Sequence, residues 1–139
     1  MKILFVCRGN VGRSQMAEVI FNDLVKGKHH ALSAGTKVGE HEGQRLKDRD
    51  AAAHVLAVLT EIGIDAAENV RNQLSLEMLE IADVVVSMAE SDTIPEYILN
   101  NKKVVYWDMI DPFNRSLEFT RQVRNQIQTL VEELISELD

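Results

Sequence analysis

Residues 2–7 are apolar after an opening lysine, and they show no helical period. A run of that length reads as a strand buried on both faces. From Ser14 the pattern changes. Met16, Ala17, Val19, Ile20, Phe21, Leu24 and Val25 recur at helical spacing, and Gly27 supplies a stop. Residues 7–13 therefore form a strand-to-helix loop. Residues 30–34 give a second short strand, ended by Gly35. Residues 37–50 are polar, contain Gly39 and Gly43, and read as a loop or a ragged helix entry. Ala52, Val55, Leu56, Leu59 and Ile62 mark one face of a helix over 51–62, with Gly63 after it. A polar stretch over 68–74 follows, and Ser75 is placed to N-cap a short helix through Ile81. Residues 83–88 give a third strand. Residues 91–99 give a helix with Pro95 near its first turn, and residues 103–107 a fourth strand. Beyond the loop 108–116, residues 117–138 form a long amphipathic helix.

Strands alternating with helices predict a three-layer αβα architecture around a central four-stranded parallel sheet. In such sheets ligands bind beyond the carboxyl ends of the strands. Cys7 ends the first strand, and Asp108 and Asp111 follow the fourth. Both loops fall at one edge of the sheet.

Composition narrows the function. The 139 residues fit one domain over 1–139. No apolar stretch approaches the ~20 residues that span a bilayer. The N-terminal run lacks the long apolar region and small-residue cleavage site of a signal peptide. A formal net charge of -7 argues against a nucleic-acid or membrane-surface binder. Any anion must be held by a local site, against the global field. A single cysteine excludes an internal disulfide and a Cys-rich zinc site, and fits a reducing cytoplasm. His29, His30, His41 and His54 show no metal-ligand pattern, and His54 reads as structural. Met78, Met88, Met109 and Trp107 read as packing residues. The charges of the last helix, Glu118, Arg121, Arg124, Glu132 and Glu133, read as its solvated face.

The loop 7–14, Cys7-Arg8-Gly9-Asn10-Val11-Gly12-Arg13-Ser14, carries the candidate chemistry. Successive N–H groups of a strand-to-helix loop can converge into an anion nest, reinforced by the positive end of the helix. Gly9 and Gly12 permit backbone angles that other residues resist. The same potential favours the thiolate of a cysteine at its centre. Arg13 can hold two oxygens of a phosphate on its planar guanidinium. Ser14 can donate its hydroxyl to the thiolate. A nucleophile facing a phosphate ester also needs an acid for the leaving group. Asp111, stiffened by Pro112, is placed for that role, and Asp108 is the alternative. Phe113 is placed either at the pocket wall or at the core edge. Arg8 faces either substrate or solvent. The segment 39–50 either frames the mouth or is mobile.

The stretch resembles the C-x5-R-S phosphate loop of the low-molecular-weight protein tyrosine phosphatases. Met16-Ala17-Glu18, Ser33-Ala34-Gly35-Thr36 and Asp111-Pro112 continue the resemblance over nearly the whole chain. It implies hydrolysis of phosphotyrosine or another aryl phosphate through a phosphocysteine. Cys7 is the implied nucleophile, Arg13 the clamp and Asp111 the acid and then base. The loop residues Arg8 to Gly12, with Ser14 and Phe113, are the implied substrate contacts. Asn10, Ser14 and Ser33 match residues that brace the loop, and no metal or cofactor is implied. Implied partners are a phosphorylated protein or a small aryl phosphate, with phosphate, sulfate or arsenate as site ligands.

The chain departs from that pattern in three places. Gly12 stands where many relatives have a second cysteine, Gln15 where many have proline, and Phe113-Asn114 where a tyrosine pair is common. Asn72-Gln73-Leu74-Ser75 and Trp107 are similar to the arsenate reductases of the same fold. With Cys7 alone, that chemistry needs an external thiol. A non-catalytic oxyanion-binding module is the third reading.

Overall fold

The computed structural model describes residues 1–138. Four strands, β1 (Lys2–Cys7), β2 (His30–Gly35), β3 (Val84–Ser87) and β4 (Val104–Tyr106), form one sheet in the order β2-β1-β3-β4. All three pairings are parallel. The helices are α1 (Arg13–Val25), α2 (Ala53–Thr60), α3 (Leu76–Ile81), α4 (Glu96–Leu99) and α5 (Leu117–Leu138). This is the three-layer αβα arrangement that the alternation of strands and helices predicts.

Alternation along β1 builds the two cores. Successive side chains of a strand point to opposite faces. Ile3, Phe5 and Cys7 pack on one face with α1, α2 and α5. Leu4 and Val6 pack on the other with Leu79 of α3 and Ile98 of α4. A central strand clothed on both sides must be apolar throughout, as residues 3–7 are. The outer strands relax that demand, and Leu32 of β2 and Val105 and Tyr106 of β4 are exposed.

The strand order places the switch point beside β1: its connection through α1 runs to β2 on one side, while β3 lies on the other. A crevice opens beyond the strand ends at such a point. Gly35, at the end of β2, allows that corner to close. A Cβ there would lie 2.7 Å from the Arg8 carbonyl and 2.9 Å from the Asn10 nitrogen. Only glycine lets β2 pass so near the β1–α1 loop.

Three expectations need correction. The helix over 91–99 is instead a 3-10 turn, Ser91–Thr93, followed by the single turn α4. Pro95 disfavours helical geometry at the residue before it, so Ile94 is extended and the helix starts after the proline. The helix over 51–62 begins as a 3-10 turn and is α-helical only over Ala53–Thr60. Arg124 is not on a solvated face. It is 7% exposed, and its Nη1 donates to the Val58 carbonyl and to Glu61 Oε1. Arg121 donates to the same carboxylate, so Glu61 ties α2 to α5. Among the described residues no helix is long and apolar enough to cross a membrane.

Candidate active site

Residues 8–12 leave β1 and turn into α1 through Gly12, whose side gives no cap. The loop's carbonyls are committed elsewhere. Cys7 O accepts from Thr36 N, Arg8 O from Lys37 N, and Gly12 O from Met16 N. Gly9 O accepts from Arg71 Nε and Asn10 O from Gln15 Nε2. The N–H groups of residues 8–12 have no partner among the described residues. Buried backbone N–H groups are seldom left unpaired. A loop that binds all these carbonyls and none of its amides has the hydrogen-bonding pattern of an anion nest.

The left-handed residue of the loop is Asn10, with φ 53, and not either glycine. Gly9 and Gly12 have ordinary φ, and a Cβ at either would meet only van der Waals neighbours. The freedom expected of the glycines is not used there. Asparagine tolerates this conformation better than most residues, and here its side chain holds it. Asn10 Nδ2 donates to Ser14 Oγ at 2.8 Å and to Ser33 Oγ at 3.0 Å. Asn10 Oδ1 accepts from Asn72 N at 2.8 Å and Gln15 Nε2 at 3.1 Å. Ser33 Oγ in turn donates to Glu18 Oε1 at 2.9 Å. Burial pushes the Glu18 carboxyl above its ordinary range, against the bond from Ser33.

Cys7 is 2% exposed, and its Sγ lies 2.9 Å from Ser14 Oγ. That hydroxyl already accepts from Asn10, so its own proton is free to point at the sulfur. Arg13 is also 2% exposed. Its Nη1 donates to the Met88 carbonyl at 2.6 Å, and its Nη2 donates to Glu90 Oε1 at 2.9 Å. Nη2 also lies 3.4 Å from Asp111 Oδ2. Nε is buried without a partner. One edge of the guanidinium is thus fixed by the end of β3 and the loop after β4, and Nε alone keeps an unused donor.

Asp111 reaches this place because Pro112 and Phe113 fold back under it. Phe113 N donates to Asp111 Oδ1 at 3.0 Å, leaving Oδ2 toward Arg13. Cys7, Arg13 and Asp111 line one cavity of about 400 Å³. Arg8, Gly9, Val11, Gly12, Val55, Pro112 and Phe113 line it too, and Phe113 is 53% exposed at the wall rather than in the core. Arg8 is exposed and borders the cavity as well as solvent. Asn10, Ser14 and Ser33 lie behind the loop, off the cavity lining. Asp108 is exposed and also off the lining.

Four residues at this site escaped the sequence reading. Glu90 follows β3 at a carboxyl strand end, which was a usable signal. Arg71 and Arg49 lie in polar stretches whose docking depends on long-range bridges such as Arg45 with Val70. His54, read as structural, also borders the cavity, with Nδ1 3.2 Å from the Arg115 carbonyl. The segment 39–50 does reach the mouth, through Arg49 and Asp50. Among the described residues no cluster of three His, Cys, Asp or Glu side chains could hold a metal ion.

The family model for low molecular weight phosphotyrosine protein phosphatase matches residues 2–139. A glutaredoxin arsenate reductase from Synechocystis sp. is 30% identical over 138 residues, 99% of this chain and 98% of that protein. The YwlE arginine phosphatase from Geobacillus stearothermophilus superposes with a TM-score of 0.83 at 32% identity, covering 99% of this chain and 92% of that one. A low molecular weight protein tyrosine phosphatase from T. tengcongensis superposes with a TM-score of 0.81 at 31% identity, covering 99% of each chain. The chain belongs to the low molecular weight phosphotyrosine protein phosphatase family.

Proposed function

We propose that this family member is a phosphatase acting on aryl phosphate monoesters, with phosphotyrosine in proteins as its natural class. The observation that carries the reading is Asp111. Its carboxylate is fixed by Phe113 N, lines the cavity that holds Cys7, and lies 3.4 Å from Arg13. An oxyanion binder has no use for an acid held over the leaving group.

The geometry supports a two-step mechanism. The phosphoryl group sits over the open N–H groups of residues 8–12, beside Arg13 Nε. Cys7 Sγ attacks phosphorus, and the bond to the ester oxygen breaks. Asp111 gives its proton to that oxygen, so the aryl group leaves as a phenol. The Ser14 hydroxyl stabilises the thiolate before attack and after its return. Asp111, now a carboxylate, takes a proton from the water that cleaves the phosphocysteine. Phosphate leaves and Cys7 is regenerated. Phe113 at the wall offers an aromatic face to the substrate ring.

Arsenate reduction is the second reading, supported by the relative from Synechocystis sp.. Cys7 would displace hydroxide from arsenate to form a sulfur–arsenic bond. Because the chain has one cysteine, an external thiol must then attack Cys7 Sγ. The sulfur–arsenic electron pair passes to arsenic, arsenite leaves, and a mixed disulfide remains for a second thiol to reduce. The test is a substrate panel on one preparation: phosphotyrosine peptide, phosphoarginine peptide, and arsenate with added thiol. The proposed function requires the highest kcat/KM on phosphotyrosine. Arsenite formation without phosphotyrosine turnover would replace it with the second reading. Preference for phosphoarginine would remove the aryl assignment.

A further inference from the structure

Arg71 stands beside the floor of the cavity. It is 3% exposed, its Nε donates to Gly9 O, and its Nη1 donates to Gln44 Oε1. Its Nη2 would lie 3.8 Å from a Cβ on Gly9. Among the described residues it has no carboxylate partner. A buried charge is normally paired. Burial and the nearby Arg49 both disfavour the charged form of Arg71, and Cys7 favours it.

Arg49 lines the same cavity, and its Nε is buried without a partner. It makes no ion pair among the described residues either. Arg49 also stands where the cavity runs into a shallower groove, which it shares with Asp50, Ala51, Phe113 and Asn114. Two adjacent unpaired guanidiniums are placed against the grain of a chain with net charge -7. Asp48 and Asp50 are the acidic neighbours in the groove, neither of them ion-paired with Arg49, and Asp111 is committed toward Arg13.

We propose that Arg49 and Arg71 form a second anion subsite beside the phosphoryl position, and that the substrate is a phosphate monoester carrying a further carboxylate or phosphate that docks there. The substrate class rests on the phosphatase reading; the subsite rests on the two guanidiniums. Arg71 is the inner cation, next to the phosphate loop. Arg49 is the outer one, at the mouth of the groove that holds the rest of the substrate.

The test has a binding arm and a kinetic arm. In the first, calorimetry on the Cys7→Ser protein compares orthophosphate with pyrophosphate at fixed ionic strength. The subsite requires pyrophosphate to bind about tenfold more tightly, a difference of one good charged contact. Arg49→Gln abolishes that preference and leaves orthophosphate binding within about twofold. Arg115→Gln, which removes a charge from the same cavity, preserves it. In the second arm, phosphotyrosine peptides flanked by glutamate or by glutamine are compared on the wild type. An acidic preference of about tenfold, lost in Arg49→Gln, supports a carboxylate as the docking group. A pyrophosphate preference without it assigns the group as phosphate. No preference in either arm overturns the subsite, as does an equal fall with Arg49→Gln and Arg115→Gln. A pyrophosphate preference in a protein that turns over no aryl phosphate keeps the subsite and removes the phosphatase reading. Turnover without preference does the reverse.

Discussion

Arg13 Nη2 donates to Glu90 Oε1 at 2.9 Å, and that bond holds a guanidinium with almost no solvent access. Met88 O fixes the neighbouring nitrogen from the same strand end. The Nε of the same guanidinium is left buried without a partner. Glu90 is off the cavity lining and meets it only through Arg13. Glu90→Gln keeps the acceptor and should lower kcat/KM about tenfold; Glu90→Ala lets the guanidinium wander and should lower it about a hundredfold. The measurement is kcat and KM with aryl phosphate, with orthophosphate inhibition alongside. A positioning role predicts that the glutamine variant recovers part of both. Equal losses in the two variants would contradict it.

Asn10 combines a left-handed backbone with four hydrogen bonds of its side chain amide. Asn10→Ala loses both and strands the half-buried Asn72 N–H, for a cost of about 3 kcal/mol. Asn10→Gly keeps the conformation and should lose about 1 kcal/mol less. Urea unfolding of the three proteins measures this order. A glycine variant no better than alanine would show that the backbone angle is unimportant.

Gly35→Ala should fail in a different way. Its methyl would meet backbone atoms of Arg8 and Asn10, and backbone cannot step aside as a side chain does. Overpacking of this kind costs about 1–3 kcal/mol. The clash falls on the phosphate loop, so orthophosphate binding should drop along with stability. Thermal melts with and without orthophosphate would show the shift on ligand addition disappearing. A variant that still gains the wild-type shift would contradict the account.

Hydrogen bonding from Arg121, and then from Arg124, lowers the Glu61 carboxyl to about 2. A carboxylate whose pKa is depressed by folding stabilises the fold above its unfolded value and loses that contribution as pH falls through the folded one. The clamp between α2 and α5 should therefore be intact above the ordinary carboxylate range and fade toward pH about 2. Glu61→Gln should melt below the wild type at neutral pH, and the gap should close on acidification. A gap independent of pH would mean that the charge is not what matters.

The sheet and its layers were legible because β1 is buried on both faces and must be apolar, while the three longer helices show their own period. The position of Cys7, Arg13 and Asp111 followed from strand-end loops meeting at one edge. The helix over 91–99 was misread because a proline can open a helix or precede its first turn, and local pattern does not choose. Arg124 looked solvated because charge alone does not reveal that Glu61 waits across the interface. Arg71 and Arg49 were invisible because nothing local brings residues 45 and 70 together. Gln15 is the instructive case. In place of a proline it donates from one buried amide to Asn10 and to the Val70 carbonyl, joining the phosphate loop to the segment that carries Arg71.

The central claim is that Cys7 and Asp111 act as nucleophile and acid on one phosphate ester. The most direct measurement is steady-state hydrolysis of para-nitrophenyl phosphate and phenyl phosphate by the wild type, Cys7→Ser and Asp111→Ala. Phenol is the poorer leaving group and depends more on the acid. The account predicts turnover by the wild type and none by Cys7→Ser. It predicts a loss in Asp111→Ala of about 10²–10³-fold on phenyl phosphate and a smaller one on para-nitrophenyl phosphate. A wild type that binds orthophosphate yet hydrolyses neither ester would contradict it, as would an Asp111→Ala protein equally active on both.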